Sequence, residues 1–335
     1  MYRPRRPLTQ TRYAVYVPRP PHKPRPPRPG PPPPPRGPRP VASAPPPRAT
    51  HWGAVANWYD GLVGDEGSDY QKHVVFPGAL RLLQLSAATD PRPRVLDVAC
   101  GQGAFCRLLR EKGADVTGVD AARPLIERAR QREQGQGDAP AAPLAYHIAD
   151  ARRLDTLDAL RQRPFDAAVC LLAIQNIDPV GPVFTGVAPL LAPGGRFVLV
   201  MMHPCFRGPK ATSWGWDEER KIQYRRVDRY LLPRKEPIVT HPGKDPGRYT
   251  WTFHRPLQHY VRALAAAGLL VDAVEEWPGH KLSTSGPRAA AENRARAELP
   301  MFLAIRAVRL PPRPTEVAPC EPRPGGSDPA PTECR

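Results

Sequence analysis

The sequence predicts an α/β fold built on a doubly wound, mostly parallel sheet. Three observations predict it. Residues 95–98 form a short apolar run that leads to two glycines one residue apart, Gly101 and Gly103, and then to a helical pattern through Phe105, Leu108 and Leu109. Further apolar runs at 165–173 and 196–202 are continuous rather than alternating, as in strands covered on both faces. Helical stretches separate these runs, which is the alternation of a parallel sheet.

Composition sets the bounds. The 335 residues suffice for one or two ordinary domains, and the net charge is +17. Eleven Lys or Arg and no acid fall in residues 1–50, so the remainder carries +17 less +11, or +6. Residues 1–50 are mostly proline and arginine, with Pro31 to Pro35 in one block, and are expected to be a disordered tail of polyproline II character. Such a tail attracts polyanions without specificity; a merely solvated tail, or translated upstream sequence ahead of a start at Val41, explains it as well. Residues 311–335 return to Pro, Gly and Glu and are expected to form a second disordered tail, leaving 51–310 as the folded domain. The six cysteines show no Cys-x-x-Cys pair, so neither a metal site nor a disulfide framework is expected. No apolar run is long enough for a membrane span and no secretory h-region is present, which predicts a cytoplasmic protein.

The elements follow in order. Helical spacing over 52–62 and 74–85 precedes the first strand, so these two helices are expected to form a cap. The strand, glycine turn and helix at 95–109 place backbone N–H groups where an anionic group binds. A dinucleotide fingerprint would need a third glycine at Cys106, and has no use for Asp97 four residues before Gly101. The second strand, 115–120, ends in Asp120, a little under twenty residues beyond the turn. That spacing suits a carboxylate that accepts from ribose hydroxyls, although an acid there also caps a helix. Residues 131–143 read as a loop, and 144–148 as the third strand, ending near Asp150. The fourth strand, 165–173, leads into Gln175-Asn176-Ile177-Asp178. A helix through Val183, Phe184, Val187, Leu190 and Leu191 is stopped by Pro193-Gly194-Gly195, and the fifth strand, 196–202, ends at His203. Residues 207–254 are too long and aromatic for a compact crossover and are expected to form a lid. A helix over 257–268 and two strands, 269–277 and 301–310, joined by a polar loop, complete the domain.

Asp97-x-x-x-Gly101-x-Gly103 resembles motif I of the class I S-adenosylmethionine-dependent methyltransferases, many of which have Gly where this chain has Ala99. That departure costs little if Ala99 keeps a negative φ. Trp52-x-x-Val55-Ala56-x-Trp58-Tyr59-Asp60, followed by Gly67-Ser68-Asp69-Tyr70, resembles the cap of small-molecule members of the ubiquinone and menaquinone type. Gln175 to Asp178 corresponds to motif IV, and Leu190-Leu191-x-Pro193-Gly194-Gly195-Arg196-Phe197 is a further signature. The resemblance covers about residues 52–310. It implies a Rossmann-like sheet closed by an antiparallel last strand, S-adenosyl-L-methionine as cofactor, and in-line methyl transfer to a small organic acceptor. It implies cofactor contacts from Asp97, Ala99, Gly101 and Gly103 in the turn, from Asp120 and Ala121 at the ribose, and from Asp150 and Ala151 at the adenine. Leu171 and Gln175 would line the mouth, with Tyr59 and Tyr70 closing over the cofactor unless they serve as core.

His203 is the candidate general base, since its unperturbed pKa is close to neutrality; bonding to the backbone is the alternative. Trp214, Trp216, Tyr224 and His254 are candidate acceptor contacts in the lid. Two other functions compete: a cofactor-binding domain without catalysis, and a nucleic-acid methyltransferase assisted by the basic arm. The second is weakened because Gln175-Asn176-Ile177-Asp178-Pro179 offers no aromatic residue to stack a flipped base, so no specific nucleic acid is expected as partner.

Overall fold

The structure is a computed structural model, and it describes residues 52–85, 91–134, 142–241 and 245–311. The basic arm and almost all of the C-terminal tail lie outside the described residues. Five strands come first: β1 (Arg94–Val98), β2 (Asp115–Asp120), β3 (Leu144–Ile148), β4 (Phe165–Leu171) and β5 (Leu191–Met202). Two ribbons follow, β6 (Thr212–Asp217) with β7 (Ile222–Val227), and β8 (Arg234–His241) with β9 (Asp245–His254). The last strands are β10 (Leu269–Trp277) and β11 (Phe302–Arg309), and the main sheet runs β10-β11-β5-β4-β1-β2-β3. Strands β1 to β5 pair in parallel, whereas β11 is antiparallel to both β5 and β10. The expected sheet and its antiparallel closure are therefore present.

Alternation along the central strands explains why both faces are covered. Leu96, Ala168, Phe197 and Leu199 point to one side, against α5 (Gly181–Val187) and α6 (Leu257–Ala266). Val95, Ala167, Val169 and Val198 point to the other, against α2 (Phe76–Leu83) and α3 (Ala104–Glu111). All eight of these strand residues are fully buried, so each strand has to be apolar throughout. The cap helix α1 (Ala56–Val63) is held on α4 (Arg123–Gln134) through Asp60, which pairs with Arg128 at 3.5 Å and Arg132 at 3.0 Å.

Four local expectations are corrected. Helix α4 continues to Gln134, because Arg132 and Glu133 are anchored by Asp60 and Arg110 although no apolar residue marks that turn. The link between β10 and β11 contains α7 (Ala289–Glu298), built on a high-propensity Ala289-Ala290-Ala291 start and a Glu292–Arg296 pair at 3.5 Å. Only Ala295 of this helix is buried, so it leaves no amphipathic trace in the sequence. Strand β5 begins at Leu191 and carries Pro193-Gly194-Gly195 within it, with a shift of register against β4. Residues 207–254 contain the two ribbons, whose strands had not been anticipated. Among the described residues no helix is long and apolar enough to cross a membrane.

Candidate active site

The C-terminal ends of β1, β2, β3 and β4 converge on a cavity of about 300 Å³. The turn after β1 sets its floor. Ala99, Gly101 and Gly103 have φ of 59°, 59° and 81°. A Cβ on Gly103 would lie 2.3 Å from the Tyr146 hydroxyl, and one on Gly101 would lie 3.2 Å from the Tyr59 ring. Both glycines are thus required twice, for conformation and for space. Ala99 has a positive φ, so the condition under which its departure from glycine costs little is not met, and holding an L-residue in this region costs about 1–2 kcal/mol. Leu172, at φ 55°, carries a similar strain at the end of β4, and both residues border the cavity. Such strain concentrates at functional sites.

Asp120 closes β2 with its carboxylate fixed from behind. One oxygen accepts from Gly101 N–H at 2.9 Å and the other from Ala122 N–H at 2.7 Å. Each oxygen has a second lone pair, so the group keeps capacity to accept two hydroxyl protons from the cavity side. It closes the turn that leads into α4 and borders the cavity at once. Burial raises its pKa, while the two amides oppose the rise. Asp97 is 2% exposed and its pKa is pushed up to about 7, first by burial and further by Asp120, against a Cys106 contact at 3.2 Å. It borders a separate space of about 20 Å³, shared with Tyr59 and Gln71 and of single-group size.

Asp150 follows β3 and faces the main cavity, but Arg152 grips both of its oxygens, Nη2 at 2.6 Å. That hydrogen bonding holds the Asp150 carboxyl below the usual range. Ala121, Ala151 and Leu171 also border the cavity. Tyr59 stands over the turn beside Trp52, the rings 5.3 Å apart and edge on, and both line the cavity. Burial, with Asp120 and Asp97 nearby, raises the Tyr59 pKa well above its ordinary value, so its hydroxyl stays protonated. Tyr70 lies elsewhere, edge on to Phe302 at 5.9 Å and His280 at 5.0 Å, and does not border the cavity.

The roof is the β8–β9 ribbon rather than β6–β7. Asn176 Nδ2 donates to the Trp251 carbonyl at 2.8 Å, and the side chains of Trp251 and Phe253 face the cavity. The lid residues chosen from sequence do not reach it. Trp214 lies between the guanidinium groups of Arg207 and Arg225, at 5.3 and 5.0 Å. Trp216 stacks under Arg288 at 4.4 Å, and Tyr224 crosses Gly215 with 47% exposure. Cation–π packing therefore explains the two tryptophans, and Tyr224 packs on Gly215 instead.

A second cavity of about 210 Å³ adjoins the first, sharing Asn176 and Phe253 as walls. His203, Gln175 and His254 border this one instead. His203 Nδ1 accepts from Cys205 N–H at 3.2 Å and Phe206 N–H at 3.4 Å, and Nε2–H donates to Glu276 at 2.6 Å. Burial outweighs Glu276 and lowers the His203 pKa, so the ring is neutral with both nitrogens engaged. The geometry thus gives the backbone-bonding alternative and leaves no nitrogen free to take a proton. His254 Nε2–H donates to the Tyr230 carbonyl at 2.7 Å.

A family model described as a methyltransferase domain matches residues 71–231. An S-adenosylmethionine-dependent methyltransferase from Mesorhizobium loti shares the architecture, with TM-score 0.53 and 27% identity over 71% of this chain and 99% of that one. In this matched segment and in its fold the chain is similar to the class I S-adenosylmethionine-dependent methyltransferases. Within that class it is similar to the ubiquinone biosynthesis O-methyltransferase of Xanthomonas axonopodis pv. citri, at 30% identity over 45% of this chain and 58% of the relative. The corresponding enzyme of Xylella fastidiosa is 35% identical over 31% of this chain and 39% of the relative. The matches thus span little more than half, or less, of these relatives.

Proposed function

We propose that the protein transfers a methyl group from S-adenosylmethionine to a small organic acceptor, the cofactor occupying the cavity at the strand ends. The observation that carries the reading is the Asp120 carboxylate. It is oriented by Gly101 and Ala122 N–H groups and still faces the cavity with unused acceptor capacity, as a ribose diol requires. The residues around it fit the rest of the group. Asp97 borders a space of about 20 Å³, suited to an ammonium, and the apolar Ala121, Leu125 and Ala151 offer a slot for a flat ring. Asp150 would meet the ring amine only with the oxygen lone pairs that Arg152 leaves free.

When bound, the cofactor supplies an electrophilic methyl on a sulfonium, so the chain need not create a leaving group. The chain's contribution is alignment, exclusion of water and a neutral environment. Trp251 and Phe253 roof the cavity, and Asn176 fixes that roof to the turn after β4. With His203 engaged inside the protein, an acceptor nucleophilic without a dedicated base suits this site best. Calorimetric titration with S-adenosylhomocysteine tests the reading. We expect single-site binding, weakened about tenfold or more by Asp120→Ala, which leaves ribose hydroxyls unpaired at about 1–3 kcal/mol. Absence of binding by the folded protein would refute it.

A further inference from the structure

The second cavity is built for an anion. Among the described residues no carboxylate borders it, whereas Arg207, Arg255, His203 and His254 do. Arg255 is 4% exposed and close to the Tyr260 hydroxyl; its Nη2 is held by the Ile177 carbonyl and Asp178, whereas its Nη1 is buried without a well-formed hydrogen bond among the described residues. Arg234 lies behind the same wall, with Nη2 3.5 Å from where a Cβ on Gly208 would stand, and its Nε and Nη2 are likewise buried without hydrogen bonds. Glu236 is 3.8 Å from Arg234 Nε, an ion pair too long for a hydrogen bond. Arg207 donates to the Pro300 and Leu299 carbonyls and lies over the Trp214 ring, so among the described residues its charge too has no acidic partner. Buried guanidinium groups left short of acceptors are costly, and the cost is recovered when an oxyanion accepts from them. On the same wall Gln175 Oε1 is buried without a donor.

We infer that this cavity anchors the methyl acceptor by an oxyanion, carboxylate or phosphate, with a hydroxyl or amine donating to Gln175. The anchored group lies beyond Asn176 and Phe253, the walls shared with the cofactor cavity, so the remainder of the molecule extends toward the methyl donor. The acceptor is therefore a small organic acid. This rests on the methyltransferase reading for its purpose, but not for the binding itself.

The test is calorimetry on the full chain, with and without saturating S-adenosylhomocysteine. The probes are mandelate, phenyl phosphate and the uncharged mandelamide. We expect at least one anion to bind ten times or more tighter than mandelamide; which of the two does so identifies the headgroup. Arg255→Gln should abolish the preference. Because that change also leaves Asp178 without its partner, Met202→Glu provides an independent variant. Met202 is 37% exposed at the cavity mouth, and a carboxylate there should weaken the anion tenfold or more while S-adenosylhomocysteine binds as before. Equal binding of all three probes, or of none, overturns the inference. Anion binding without any response to S-adenosylhomocysteine would overturn the cofactor reading and leave the anion site standing.

Discussion

At the scale of single residues, the site is defined by two that depart from ordinary behaviour. Ala99 holds φ 59° where related turns have glycine, and the space around it is set by the cavity rather than by packing. Ala99→Gly should stabilise the protein by about 1 kcal/mol in urea unfolding, since relief of left-handed strain exceeds the entropy glycine loses. Asp97 is the second, with its pKa raised to about 7 by burial. A carboxyl raised in the folded state makes stability fall as pH rises from about 4 toward 7, because the folded protein then retains a proton that the unfolded chain releases. Asp97→Asn should remove that dependence. The ionised form is the one that receives an ammonium, so S-adenosylhomocysteine affinity should rise about tenfold from pH 6 to pH 8 and then level off. A flat calorimetric profile for Asp97→Asn over the same range is the matching expectation. The sequence showed both residues in their motif, but not the sign of a dihedral or the depth of a carboxyl, which depend on what packs around them.

At the scale of elements, the central strands were legible because burial on both faces forces continuous apolar runs at β4 and β5. Glycine spacing was legible for a related reason: positive φ and the crowding by Tyr59 and Tyr146 leave few residue types that fit. The lid was only half legible. Length and aromatic content mark 207–254 as a lid, but the sequence reading points to Trp214 and Trp216 rather than to Trp251, which borders the cavity. Trp214 and Trp216 are occupied by Arg207, Arg225 and Arg288, and those partners are distant in sequence or only become neighbours through the β6–β7 ribbon. Tyr249, Trp251 and Phe253 alternate with Thr250 and Thr252, a strand signal that marks β9 in the sequence itself. Helix α7 left no periodicity at all, since one buried alanine cannot create any. The contrast yields a test of the roof. Trp251→Ala should cut methyl transfer about tenfold or more by opening the cavity to water, whereas Trp216→Ala should leave transfer within about twofold. The comparison is made in steady-state assays once an acceptor is in hand.

At the scale of the whole folded unit, two neighbouring cavities share one wall, and the chemistry divides between them. The strand ends hold carboxylates, matched to a cationic, hydroxyl-rich cofactor; the adjoining space holds guanidinium groups, matched to an acid. The sequence could not show this division, because Arg207, Arg234 and Arg255 are scattered through a segment that also holds exposed arginines such as Arg220, Arg226 and Arg229. Binding to the folded state alone must also stabilise it, so S-adenosylhomocysteine at a hundred times its Kd should raise unfolding free energy by about 2.7 kcal/mol. The most direct test of the central claim is a crystal structure of the protein with S-adenosylhomocysteine. The account predicts ribose density on Asp120, the amino-acid end toward Asp97, and the sulfur facing Asn176 beneath Trp251. Ligand density elsewhere, or an adenosyl group turned away from Asp120, would contradict it.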